Sequence, residues 1–339
     1  MYRTAQGEEI FVVDGHLHFW DASPANQKNK YGEGFISCFY DYHKNLSPSD
    51  YVWPRDKFEK YDEATMMRDV FEDGYVDVGI FQPTYLTDFY ENGFNRTEQD
   101  AVLKEKYPDR FILNGSFDPR DGEKGLQYLE ELHRKYQIQG VKLYTAEWRG
   151  ESKGWKLDSP EAKRYLQKCQ DLGIKNIHVH KGPTIWPLNK DAFDVADVDD
   201  AATSFPELNF IVEHCGLPRL EDFCWIAVQE KNVYGGLAVV MPFIHSRPRY
   251  FAEVLAELLF WVGEDKLLFA SDYAIWRPKW IIDKFMAFEL PEDLKKETGV
   301  DLTPVAKRKI LGENAARLYG LDIEAHKRKL AGGLVGAKP

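Results

Sequence analysis

Short apolar, β-branched runs recur along the chain. Each is followed by a longer segment with apolar residues at helical spacing, and this alternation predicts parallel strands joined by helical crossovers. Eight runs stand out: Ile10–His16, Val76–Gln82, Phe111–Phe117, Gly140–Tyr144, Ile174–His180, Asn209–His214, Val233–Val240 and Leu267–Asp272. Helical spacing covers Glu63–Glu72, Thr97–Lys106, Glu123–Lys135, Ser159–Leu172, Asp191–Ser204, Arg219–Lys231, Arg247–Val262 and Pro278–Phe288, and Thr303–Tyr319 reads as a closing helix stopped by Gly320. Eight strand–helix units predict an α/β protein built as a (β/α)8 TIM-type barrel. A doubly wound open sheet would carry a Gly-rich turn after its first strand, where this chain has His16-Leu17-His18. The expectation is one barrel over residues 1–339, with its core at about 10–321 and a tail at 322–339. Phe19–Tyr61 shows few helical or strand signals and many aromatics, so it reads as a long first βα loop lying over the end of the first strand.

Composition changes the picture mainly by exclusion. The 339 residues are 44% hydrophobic and 29% charged, far from a disordered composition. Lys and Arg number 44 against 55 Asp and Glu, a formal charge of −11, so a broad basic surface for nucleic acid or an anionic bilayer is not expected. The N-terminal stretch lacks a basic region followed by an apolar one, and no window is apolar enough to cross a membrane; a cytoplasmic protein is expected. Cys38, Cys169, Cys215 and Cys224 are scattered without a CxxC pair, which suits reduced thiols.

The candidate chemistry lies in the histidines. Five of nine, His16, His18, His178, His180 and His214, fall at the C-terminal ends of three predicted strands, and Asp272 closes the eighth. Residues i and i+2 of a strand share a face, so each HxH pair projects inward, and a barrel gathers distant strand ends at the face where its active sites lie. Imidazoles and a carboxylate converging there form an N/O ligand set suited to Zn2+ and compatible with Mn2+ or Fe2+.

The segments VDGHLHFWD, IHVHKG, VEHCGLPR, FASDYA and NAARLYGL resemble the amidohydrolase superfamily. Within it they are similar to the amidohydrolase-related branch that includes aminocarboxymuconate-semialdehyde decarboxylase-like enzymes and several lactonases. The resemblance runs from about Val12 to Leu321. It implies one divalent metal ion, zinc first, held by His16, His18, His180 and Asp272. Asp272 would also take a proton from metal-activated water, and His214 would act as base or electrophile. His178 is a departure, either a partner behind the ligands or itself the fifth-strand ligand. In binuclear members a fourth-strand lysine is carbamylated and bridges two metals, but in this branch Lys142 reads as a cation aimed at substrate or an ion-pair partner.

Two reactions fit this set. The first expectation is hydrolysis of an amide- or lactone-type bond in a small aromatic or cyclic carboxylate-bearing substrate. The alternative is non-oxidative decarboxylation on the same metal site. A non-catalytic barrel binding a metal or small molecule is the reading from outside enzymology. Aromatics at the predicted mouth, Trp20, Tyr144 and Trp276 among them, suggest substrate contacts. The resemblance also implies a homodimer or higher homo-oligomer in which an arginine from a neighbouring subunit reaches the site, with Arg247 as the candidate.

Overall fold

Hydrogen bonding joins eight parallel strands in chain order: β1 (Val13–Leu17), β2 (Val78–Phe81), β3 (Phe111–Gly115), β4 (Gly140–Leu143), β5 (Asn176–His180), β6 (Asn209–Glu213), β7 (Val233–Gly236) and β8 (Leu267–Leu268). In this computed structural model, which describes residues 1–333, the ends of the sheet meet. The Gly15 N–H donates to Phe269 O at 2.9 Å and the His18 N–H to Tyr273 O at 2.7 Å, so the sheet closes into the expected (β/α)8 barrel. Tyr2–Arg3 and Glu9–Ile10 form a small antiparallel pair ahead of it.

Most strands stop one to four residues before the apolar runs end. The clearest case is β8, where Phe269 donates its N–H to Ile310 O and Asp272 has φ +58°, a left-handed conformation that cannot continue a strand. Val13, Val78, Ile80, Ile112 and Leu268 fill the lower barrel, plugged by Ala315 and Tyr319 from the closing helical segment. Polar side chains lie above this apolar layer, toward the strands' C-terminal ends.

Several expectations need correction. The first βα segment is not a structureless loop, for it contains a 17-residue helix, Lys30–Leu46. Asn29 caps it by accepting the Tyr31 N–H at 2.9 Å, and Phe35, Ile36, Phe39 and His43 form its buried face. The pattern was masked by Gly32 and Gly34, both poor helix formers, and by the half-buried aromatics Tyr31, Tyr40 and Tyr42 on its other faces. The helix expected at Asp191–Ser204 divides into Lys190–Phe193 and Asp197–Ser204. The region expected as a tail holds a helix, Ile323–Gly333; residues 334–339 lie outside the described residues.

Trp20 also moves from its expected place at the substrate to the core. It is 2% exposed, stacks on Phe94 with centroids 5.2 Å apart, and donates its indole N–H to Phe58 O at 2.7 Å. Trp20→Phe should therefore cost about 1–2 kcal/mol of stability through the lost hydrogen bond and volume. Urea unfolding measures this, and KM should stay near the parent value.

The loop after β4 carries a pH-sensitive contact. Glu147 is buried and accepts the Thr87 N–H at 3.3 Å. Burial pushes its carboxyl up to about 7 from an ordinary 4.5; Arg149 pulls it back and Asp118 pushes further. Because the folded value is raised, this group's contribution to stability is full below about 4.5 and lost as pH rises through about 7. Glu147→Gln keeps the acceptor without the charge. It should stabilise the protein on the order of 2–3 kcal/mol at pH 8.5 relative to the parent, with little gain at pH 4.5, in urea unfolding at the two pH values.

Candidate functional site

Strand alternation brings the chemistry to the C-terminal mouth. Lys142 points inward from β4, His178 and His180 from β5 and Glu213 from β6; His16 lies on β1 with His18 directly after it. His214 and Asp272 follow their strands in left-handed conformations, at φ +63° and +58°. Left-handed backbone in non-glycine residues costs about 1–3 kcal/mol each and concentrates at functional sites. The His214 ring fits only because Gly182 lies against it, where an added Cβ would stand 2.7 Å from the imidazole.

His16, His18 and Asp272 each offer a donor atom within 4.8 Å of the others. His16 Nε2 and His18 Nε2 are 3.1 Å apart, and Asp272 Oδ1 stands 3.3 Å from His18 Nε2 and 3.6 Å from His16 Nε2. Burial alone would raise the Asp272 carboxyl, but its interactions with His16, His18 and His214 outweigh that and draw it well below the usual range, so near neutral pH it is ionised beside neutral His16. Burial and the Lys142 charge bring the His16 imidazole down to about 3, so it is neutral and able to ligate.

Partners assign the proton positions on the rings. His214 Nδ1 is 3.1 Å from Ala238 O, which only accepts, so Nδ1 carries a proton and Nε2 accepts from His180 Nδ1–H at 3.0 Å. His180 Nε2 is then a buried lone pair, and it has no partner. His16 Nδ1 donates to Glu213 Oε2 at 2.9 Å, leaving Nε2 as the lone pair directed at His18. The His16 Nε2 lone pair beside His18 Nε2 and a carboxylate oxygen is the donor chemistry of a divalent cation site, and the orphaned His180 Nε2 lines the same cavity outside that 4.8 Å cluster. These residues fit a metal.

Lys142 is fully buried, with Nζ 3.3 Å from His16 Nε2. Burial lowers its ammonium to about 8, opposed by the charges of Glu213 and Asp272, so it remains mostly protonated at neutral pH. Above this floor opens a cavity. Its walls include Phe39 and Leu46 from the Lys30–Leu46 helix, Phe94, Val239, Phe243 and Trp276.

Of the side chains expected at the substrate, Lys142, Tyr144 and Trp276 line this cavity, and Trp20 does not. Arg247 is exposed, with its guanidinium over the Tyr250 ring at 4.5 Å, and lies outside the lining. His178 sits one layer below the cavity, between Glu213 and Tyr319. Sequence reasoning missed Glu213, because treating His214 as the inward-facing strand end pointed its predecessor outward. The strand ends at Glu213, and the backbone turns at His214. An acid directly before a strand-end histidine, in Val212-Glu213-His214, was the available signal.

A family model described as amidohydrolase matches residues 13–321. No curated protein matches the sequence. Among solved structures, an uncharacterized TIM-barrel protein from Bordetella bronchiseptica is similar, at 17% identity over 92% of this chain and 99% of that one, with TM-score 0.69. So is 2,6-dihydroxybenzoate decarboxylase from Rhizobium, at 17% identity over 93% and 100% with TM-score 0.61. A probable 2-pyrone-4,6-dicarboxylic acid hydrolase from Acinetobacter baumannii matches at 14% identity over 91% and 99%, with TM-score 0.55.

Proposed function

The chain belongs to the amidohydrolase family, and on that footing we propose that it is a metal-dependent decarboxylase of a small aromatic acid. The sequence leaned toward hydrolysis. The matched structures favour the alternative, since those with a named activity are mostly decarboxylases of aromatic acids, beside one probable hydrolase. Two of the decarboxylase structures hold manganese, which supports Mn2+ as strongly as the zinc first expected.

The observation that carries the proposal is the segregation of the cavity, with charged and imidazole groups on its floor and apolar or aromatic side chains over most of its walls. A flat aromatic ring fits such walls. Phe39, Leu46, Val239 and Phe243 offer such a ring apolar contact, while its carboxylate faces the charged floor.

His16, His18 and Asp272 would hold the ion, with His180 Nε2 as the further donor. When bound, the ion supplies Lewis-acid charge that orients the acid and an adjacent oxygen substituent. Lys142 offsets the substrate's negative charge from the floor. Tyr144, whose ring centroid is 4.5 Å from that of His180, and Trp276 position the aromatic ring. His214, with Asp272 Oδ2 4.0 Å from its Nδ1, relays to the ring carbon a proton taken up from solvent, its own Nδ1–H being donated to Ala238 O. The electron pair of the broken C–C bond stays on that carbon, CO2 leaves, and one proton is consumed per turnover.

The test is a panel of hydroxylated benzoic acids and aryl lactones, assayed with Mn2+- and Zn2+-loaded protein. One CO2 per decarboxylated product is expected. Lactone opening without CO2 would favour hydrolysis, and tight binding with no turnover of any compound would favour the non-catalytic barrel.

A further inference from the structure

Beneath the metal-binding floor runs a column of hydrogen-bonded polar side chains, in which Gln82 Nε2 also lies 3.0 Å from His178 Nδ1. Glu213 is 1% exposed and accepts from two imidazoles at once, His16 Nδ1–H at Oε2 (2.9 Å) and His178 Nδ1–H at Oε1 (2.6 Å). His178 Nε2 accepts the Tyr319 hydroxyl at 2.7 Å. Tyr319 Oη in turn accepts from Asn114 Nδ2 at 3.0 Å, and Asn114 Nδ2 also donates to Gln82 Oε1 at 3.1 Å. Gln82 Nε2 donates to Gly15 O at 2.7 Å, returning the chain of bonds to β1 beside His16. The Glu213 carboxylate fits because Gly236 faces it on β7, where an added Cβ would lie 2.4 Å from Oε2.

We propose that Glu213 is a positioning residue that determines which nitrogen of His16 faces the cation, and that His178 and Tyr319 hold its carboxylate from below. This rests on the metal-site reading above. An ionised carboxylate has two accepting oxygens, and both imidazoles here present an N–H to it. A glutamine in its place has one acceptor and one donor, so one ring must turn its Nδ1 lone pair toward the amide. If that ring is His16, its proton moves to Nε2 and blocks the ligating atom. Partners of this kind typically alter metal affinity 10–100-fold.

The experiment compares parent, Glu213→Gln and Tyr319→Phe by chelator competition for Mn2+, with histidine tautomers read by long-range 1H–15N correlation in the metal-free proteins. The parent should bind Mn2+ with His16 protonated at Nδ1. Glu213→Gln should bind on the order of 10–100-fold more weakly with His16 protonated at Nε2, and Tyr319→Phe should show a smaller loss in the same direction. Unchanged affinity and tautomer in folded Glu213→Gln overturns the inference. Should that variant fail to fold, a parent His16 protonated at Nε2, or parent affinity in Tyr319→Phe, overturns it instead. A parent that binds no Mn2+ and contains no other metal contradicts the metal-site reading itself, a result distinct from both.

Discussion

Asp272→Asn is expected to cut turnover on the order of 10³-fold or more and to strip the protein of metal during dialysis. The substitution nearly preserves shape, and asparagine tolerates the left-handed φ of +58° as readily as aspartate, so the backbone turn should survive. What changes is charge. Asp272 is the acidic member of the donor cluster, and it is kept ionised by His16, His18 and His214. Without it the cluster retains imidazoles and the Lys142 ammonium, an arrangement that repels a divalent cation. Elemental analysis after dialysis, beside a thermal melt to show that the fold persists, reads the two effects separately. Full metal content together with parent turnover would remove Asp272 from the ligand set.

The second large effect separates proton handling from metal holding. His214→Asn should lower kcat about 10²- to 10⁴-fold while metal content stays near the parent's. Asparagine again suits the local φ of +63°, and its short amide leaves His16, His18 and Asp272 in place. The substituted protein lacks the imidazole, held below its ordinary pKa by burial, through which the proposed proton relay runs. Loss of metal in proportion to activity would instead mark His214 as a structural support for His180, to whose Nδ1 its Nε2 is joined at 3.0 Å.

The different fates of the expected site residues follow from the range of the interactions that place them. The meeting of His16, His18, His180, His214 and Asp272 at one mouth was legible because a strand's two-residue period and a barrel's closure bring strand ends together. Trp20 and the Lys30–Leu46 helix were misread because nothing local distinguishes an aromatic that faces a ligand from one that faces Phe94 across the fold. Glu213 was missed because a single residue's difference in where a strand ends reverses which side chains face inward.

The sequence by itself determined the barrel, the order of its strands and the gathering of imidazoles and one carboxylate at a single end, since these depend on periodicities written into neighbouring residues. Only the tertiary structure decided which nitrogen of His16 and of His180 carries the lone pair, that Lys142 is buried against His16, and that a helix from the first connection walls the cavity. Those features depend on contacts between segments far apart in the chain, such as Glu213 with His16, whose distances no local pattern encodes.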